Sequence, residues 1–562
     1  MQSGSAAVAA DLHTHEKCDA WAAGTTFVWS LRDWCMLAAA LGFAVIVLHL
    51  RLRSNGVPFE DAAMLMRYAD HLGHGHGITW NVGEKPVDGA TDFLFMCLLA
   101  GLVKLGIAVE RAALVVVVGS HLATVALLYA ATRALYRLTP SLALVPALYL
   151  AAGPATWYID AYFGTPFFAF FAALTWCLAL LAARRPASGV TAAAFSLSAL
   201  TLALIRPEGT FLAVLMLAAL IYRQGMRQSR TVVTAFVMAF VLIGAAYFMW
   251  RWHYFGHPLP NPFYKKGGGR LYGGSLVLAT EHMVRLAYPA VTVLAVALGA
   301  RRARREAVFG LIPLAGFTAI WVLLSNEMNY KMRFQYPVLP VALLAWPPAL
   351  LALGEVLRIP SSGSELAREQ QVTLRWAAAV ALLGILSAQL MLYSGTGSIR
   401  DGRYAAALAL RRYQGKSYTM ATTEAGILPL YSGWRAVDAW GLNDQWIAHH
   451  GRITPDYLQR YRPEVIVAHG PLLESGTPAA GSWGGMVRTL RRYAEENRYQ
   501  LAAAYGETPY DVHLYYVRTD FPDGEEIIRR IRSLDYAWYA TGRTSINYAL
   551  LPGLTTPPSQ RR

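Results

Sequence analysis

The sequence predicts a polytopic α-helical membrane protein of about 11 spans, each about 20 residues, carrying a C-terminal extracytoplasmic α/β domain. Three observations predict it. Of 562 residues only 15% are charged and 55% are hydrophobic, whereas a soluble chain carries about 25% charged residues. Apolar stretches of membrane-spanning length recur as far as Tyr393 and then stop. The basic excess, 50 Lys and Arg against 35 Asp and Glu, collects beside those stretches, at Arg184 and Arg185, from Arg223 to Arg230, and at Arg301, Arg302, Arg304 and Arg305. Basic residues so placed mark cytoplasmic loops, so the net charge of +15 reflects a lipid bilayer partner, and no nucleic acid is expected. The cysteines Cys18, Cys35, Cys97 and Cys177 have no metal-ligand spacing, which argues against a zinc or disulfide framework.

Residues 1–30 read as a polar cytoplasmic segment without the basic-then-apolar order of a cleaved signal peptide. A transmembrane domain is expected over 31–399. Its first span lies near Trp34 to Leu50 and serves as its own anchor; the others lie near 91–108, 113–131, 142–159, 165–183, 190–205, 211–222, 232–250, 286–298, 307–324, 336–353 and 377–392. Cytoplasmic placement of 184–188, 223–230, 301–306 and 357–370 is self-consistent and turns Arg206 to Gly209, 251–281, Ser325 to Arg333 and everything after Tyr393 outward. The parity then fails towards the N-terminus unless one segment between Thr91 and Ile159 does not cross. Residues 400–562 alternate strand-like runs (Ser417 to Thr423, Val465 to His469, His513 to Val517) with helix-like ones (Tyr404 to Tyr413, Met486 to Glu496), the pattern of an α/β domain.

Chemistry concentrates in the outer loop 52–90. Glu60 and Asp61 precede apolar residues at helical spacing, Met64, Leu65, Tyr68 and Leu72, which describes a short amphipathic helix on the bilayer with its acids at the start. On spacing alone the pair caps that helix and favours its dipole. His71, His74 and His76, separated by glycines, read as a turn with solvated imidazoles, not as a zinc site.

The order of motifs adds a resemblance. Glu60-Asp61-Ala-Ala, Arg67-Tyr68-Ala69, Gly75-His76-Gly77-Ile78-Thr79-Trp80-Asn81-Val82-Gly83-Glu84 and Asp88-Gly89-Ala90-Thr91 resemble the first outer loop of GT-C glycosyltransferases, in particular the group containing the mycobacterial terminal arabinofuranosyltransferase B. Arg206-Pro207-Glu208-Gly209, the run from Tyr254 to Lys266, Arg333-Phe-Gln-Tyr-Pro-Val-Leu-Pro340, Glu424-Ala-Gly426 and the run from Asp438 to Asp444 resemble further motifs of that family in the same order. Two places depart from it: the Glu of a Gly-x-Glu-Thr-Pro motif is absent at Tyr162-Phe163-Gly164-Thr165-Pro166, and a Gly-Gly-Asp stands here as Ser325-Asn326-Glu327.

The resemblance implies a GT-C-like transmembrane domain in a bacterial cytoplasmic (inner) membrane, its active site and C-terminal domain facing the periplasm or exterior. It implies transfer of a sugar, with arabinofuranose favoured, from a polyprenyl-phosphate donor to a hydroxyl of an envelope glycan or protein acceptor. That reaction needs a carboxylate to take the acceptor's proton, for which Asp61 is first choice and Glu60 second. It also needs cations where charge develops on the departing phosphate, for which Arg206, Arg333, Lys265, Lys266 and Lys331 are candidates; each could instead anchor a headgroup. Trp80, Asn81, His76, Glu208, Asn261, Tyr264 and Glu327 are candidate substrate contacts, while Tyr254 and Tyr336 suit the interfacial aromatic belt. No cofactor and no dedicated metal site is expected, although a divalent cation held by Glu60, Asp61 or His76 stays open, as does a phosphate cradle at Gly267-Gly268-Gly269. A transporter or flippase of lipid-linked sugar is the rival reading, disfavoured because internal repeats are missing and the polar motifs share one face. A non-catalytic glycan-binding scaffold is the other.

Overall fold

The computed structural model describes residues 28–52, 57–266, 271–326, 328–356, 380–393, 400–472 and 482–551. Glu327, Gly267 to Gly269 and the basic loop 357–370 lie outside the described residues. The molecule is a polytopic helical membrane protein with a C-terminal mixed α/β domain.

Local chemistry starts the helices. Ser30 caps the first, Leu31–Arg51: its Oγ accepts from the Asp33 N–H at 3.3 Å while the Asp33 carboxylate accepts from the Ser30 N–H at 2.9 Å, satisfying two orphan donors reciprocally. Asp33 also pairs at 2.5 Å with Arg133 of the helix Val109–Tyr136, so an acid at a membrane helix has its counter-ion.

Among the described residues seven helices are long and apolar enough to cross a membrane, with shorter apolar helices at Phe93–Lys104, Pro140–Ala152, Gly189–Ile205 and Val380–Leu392. The first of these falls in the region 91–159, where one segment is expected not to cross, and we propose it as that segment. The expected span 91–108 forms only Phe93–Lys104, 12 residues and about 18 Å at 1.5 Å per residue, well short of a hydrocarbon core of about 30 Å. It lies against Glu60–Gly73. With that segment set aside, the seven long helices, the three other short ones and Pro207–Gln224 agree with the expected number of spans.

The helix break at Arg206 shows how sequence positions a charge in this fold. Proline at 207 drives the preceding residue out of helical conformation, and Arg206 has φ −142° and ψ 145° between Gly189–Ile205 and Pro207–Gln224. A Cβ at residue 209 would collide with the Leu202 carbonyl, so Gly209 is what lets the second helix start this close to the end of the first.

The outer domain holds one six-stranded sheet in the order β2-β1-β3-β5-β4-β6, where β1 is Thr419–Thr422, β2 Arg435–Asp438, β3 Val465–Gly470, β4 Tyr499–Thr508, β5 Asp511–Arg518 and β6 Ile546–Asn547. The first three pair in parallel and the rest antiparallel. The parallel strands are almost wholly buried, as expected when both faces are covered.

This domain seats directly on the outer loop. Arg67, buried, donates from Nε to the Trp80 carbonyl at 2.8 Å, from Nη2 to the Trp434 carbonyl at 2.9 Å, and from Nη1 to the Pro429 carbonyl. Asn81 exchanges hydrogen bonds with both backbone groups of Ala436 on β2, at 2.9 and 3.1 Å, and Trp80 Nε1 donates to the same carbonyl at 2.9 Å. Polar groups that would be costly to bury alone satisfy one another across this junction.

Candidate active site

Where the helix ends meet the outer domain there is a cavity of about 410 Å³. Its walls include Phe95, Phe211, Phe263, Trp321 and Phe334, and its charged lining is Asp61, Asp92, Arg206, Glu208, Lys266 and Arg333. Segments separated by 272 residues in sequence thus converge, Asp61 from the first turn of Glu60–Gly73 and Arg333 from just beyond a 3₁₀ turn, with Arg333 Nη2 2.5 Å from Asp61 Oδ2. The segment presenting Arg333 carries three non-glycine residues in left-handed conformations, Met328, Lys331 and Met332 (φ 61°, 49° and 65°); such residues cost of order 1 to 3 kcal/mol each and cluster where function requires them.

Two ion-pair systems share the chamber. The fork of Arg206 is occupied, with Nη1 2.5 Å from Asp92 and Nη2 2.9 Å from Glu208. Arg333 gives Nη2 to Asp61 but its buried Nε has no hydrogen-bond partner. Burial alone would push the Asp61 carboxyl up; the positive charges of Arg333, Lys266 and Arg206 outweigh it and hold the group below its ordinary value. Asp61 is therefore ionised at neutral pH. It is not a cap, because Phe59 occupies the N-cap position without a side-chain bond.

The adjacent acid does something else. Glu60 turns away from the cavity, accepting from the Gly426 N–H and, at 3.3 Å, from the Ile427 N–H, with Arg403 3.3 Å distant. Burial, reinforced by neighbouring Glu424 and Asp401, raises its carboxyl against the pull of Arg403. A Cβ at residue 426 would strike the Glu60 carbonyl oxygen, which accounts for glycine there.

Of the other sequence candidates, Lys266 and Glu208 join Asp61 in the cavity, and Lys265, Lys331, Trp80, Asn81, His76, Asn261 and Tyr264 do not line it. Lys265 faces the outer domain, its Nζ 2.5 Å from the Gly451 carbonyl and over the Trp440 ring. Lys331 lies over Trp157, and Tyr264 lies 4.3 Å from the His449 ring. Trp80 and Asn81 are absorbed by the junction with β2. Asn261 is buried, its N–H bonded to the Asp88 carbonyl at 3.0 Å. His76 is exposed, and the Tyr254 hydroxyl accepts from the Ile78 N–H at 3.1 Å. Glu60, Asp61 and His76 do not gather as metal ligands; among the described residues the group able to hold an ion is Glu424, His469 and His513. Sequence reasoning missed Asp92, although it directly follows the recognised Asp88 to Thr91 motif, and it missed the cavity's aromatic wall.

Comparisons with known proteins add the following. Residues 396–517 match a family described as a domain of unknown function, DUF8728. No curated protein matches the chain. Among solved structures the chain is similar to ArnT from Cupriavidus metallidurans, in the apo state (TM-score 0.48, 15% identity, 86% of this chain and 97% of that one) and bound to undecaprenyl phosphate (0.49, 14%, 86% and 98%). It is also similar to arabinofuranosyltransferase AftD from Mycobacteria (0.44, 14%, 88% and 40%).

Proposed function

We propose that the chain is a membrane glycosyltransferase that moves a sugar, arabinofuranose in the first instance, from a polyprenyl-phosphate donor to a hydroxyl of an envelope glycan or protein. The supporting observation is the cavity, an aromatic-walled chamber at the helix ends in which an ionised carboxylate, Asp61, stands beside Arg333 and Lys266. The ordered motifs of the sequence, which resemble those of GT-C enzymes, supply the reaction class. On this reading 52–90 is a catalytic loop of a transmembrane domain over 31–399, and residues 400–562 cover it from outside a bacterial cytoplasmic membrane.

In the reaction the acceptor oxygen bonds to the anomeric carbon, the carbon–oxygen bond to the lipid phosphate breaks, and the acceptor's proton passes to Asp61. Arg333 serves both ends of that event. Its Nε is a donor available to a phosphate, and each negative charge bound by Arg333 or Lys266 weakens their hold on Asp61, so the arriving donor raises the basicity of the carboxylate it needs. Arg206, neutralised by Asp92 and Glu208, fixes the wall of the chamber and contributes less to phosphate affinity.

The experiment is sugar transfer by purified protein from a panel of synthetic polyprenyl-phosphate pentoses and hexoses to envelope glycan. Transfer from the arabinofuranosyl donor is the expected result. Transfer from a different lipid donor would correct the sugar, and inactivity with every donor, together with movement of lipid-linked sugar across vesicles, would replace the enzyme with a transporter.

A further inference from the structure

Away from the cavity, the outer domain brings two imidazoles and a carboxylate together in a manner the transfer reaction does not use. His469 on β3 and His513 on β5 are directly opposite in an antiparallel pair, so their side chains share one face of the sheet, with ring centroids 4.5 Å apart. Glu424 follows β1, held in place by its own N–H donating to Thr422 Oγ1 at 2.9 Å and by the Thr422 hydroxyl returning a bond to its carbonyl at 3.1 Å. One of its oxygens, Oε1, lies 3.2 Å from His469 Nδ1 and 3.9 Å from His513 Nε2. The other is taken by Arg403. Ligand atoms of the three residues all lie within 4.8 Å of one another.

We propose that Glu424, His469 and His513 bind a divalent metal of the zinc class. The bland alternative is a protonated His469 bridging Glu424 and Asp511. That arrangement leaves His513 Nε2, on a fully buried side chain, with no hydrogen-bond partner, and a buried unpaired polar atom calls for an explanation. A metal bound by Oε1, Nδ1 and Nε2 satisfies all three atoms at once. The outer nitrogens are already held as metal-binding histidines require: His469 Nε2 lies 2.8 Å from the Asp511 carboxylate and His513 Nδ1 2.8 Å from the Tyr536 hydroxyl, the outer contacts that orient an imidazole towards an ion. Two nitrogens and one carboxylate oxygen suit zinc and its first-row neighbours and not magnesium or calcium, which take oxygen ligands. An ion reaches the site from the His469 side, the one histidine whose side chain is partly exposed, at 18%. The ion would fix Glu424, whose partner Arg403 also faces Glu60, and so set the seating of the outer domain on the loop that carries Asp61.

The test uses the full chain in detergent, its purification tag removed, stripped with a chelator and titrated with zinc against a chromophoric competitor, then loaded with cobalt(II) for its visible spectrum. One equivalent of zinc and the intense bands of a four-coordinate cobalt complex are expected. Asp511→Asn, at an exposed position that does not endanger folding, should weaken zinc about ten- to a hundred-fold, and His469→Gln should abolish stoichiometric uptake. Absence of stoichiometric zinc in the parent, the weak bands of octahedral cobalt, or unchanged affinity in both variants would each overturn the site.

Discussion

In the proposed reaction Asp61 and Arg333 are the residues on which the chemistry turns. Asn keeps the shape of Asp but cannot accept a proton, so Asp61→Asn should lower sugar transfer by about a hundred- to ten-thousand-fold with thermal stability little changed; near-parental turnover would remove Asp61 from the mechanism. The pH dependence follows from the same pair. The base works deprotonated, and its value in the free protein is depressed, so kcat/KM should hold as pH falls through the ordinary carboxylate range and drop only below it. Arg333→Gln removes the largest cationic influence on Asp61 and leaves burial, which acts upwards, less opposed. The acid limb of kcat/KM should therefore move to higher pH in that variant, along with weaker donor binding. An unmoved limb would mean that Arg333 does not govern the base.

At the scale of elements, the junction between the outer loop and β2 carries the architecture. Arg67→Met keeps much of the side-chain bulk yet strands the carbonyls of Trp80, Pro429 and Trp434, and hydrogen bonds to a charged group contribute roughly 1.5 to 3 kcal/mol each. We expect a loss of at least about 2 kcal/mol, read as a lower unfolding temperature and faster proteolysis between the membrane part and the outer domain. An unchanged unfolding temperature would refute the importance of the clamp. The loop also marks how far the sequence could be read. Periodicity at Met64, Leu65, Tyr68 and Leu72 was enough to predict the helix Glu60–Gly73, and Asp61, Arg206, Glu208, Lys266 and Arg333, named as candidates because each stands in a motif resembling those of GT-C enzymes, all line the cavity. Trp80 and Asn81 looked like sugar contacts for the same reason, since nothing in a linear sequence tells an aromatic that faces a ligand from one that docks a domain. The centre of strand β4, Ala502, Ala503 and Ala504, lacks the branched and aromatic residues that announce strands. His469 and His513 are 44 positions apart and become neighbours only through the register of β3 with β5.

The molecule as a whole must solve a partition problem, because the charged cavity and the α/β domain have to stay on one side of a bilayer while arginine-rich turns stay on the other. Asp61, Asp92, Arg206 and Arg333 come from four separate segments and meet in a single chamber beneath the outer domain, which requires the helix ends bearing them to emerge on one side. Arg184 and Arg185, Arg227 and Arg230, and the arginines from Arg301 to Arg305 cluster at the ends of Thr165–Arg184, Pro207–Gln224 and Arg301–Ala319 opposite to those that reach the cavity at Thr165, Pro207 and Ile320. We propose that Phe93–Lys104 does not cross, because Asp92 and Phe95 at its start line the same cavity as Asp61, which keeps the outer loop on the side of the cavity. The positive-inside rule then predicts that both the cavity and the outer domain face away from the cytoplasm, an orientation we propose. Single cysteines at Gln228 and Glu495, both exposed, in a background without the native cysteines, test the arrangement in intact cells with a membrane-impermeant maleimide. Glu495→Cys should react once the cell exterior or periplasm is reached, and Gln228→Cys only after the inner membrane is opened. The reverse pattern would invert the orientation and remove the case for a polyprenyl-phosphate donor outside the cytoplasm, while labelling of both positions on one side would show that Phe93–Lys104 or another short helix has been assigned to the wrong set of crossings.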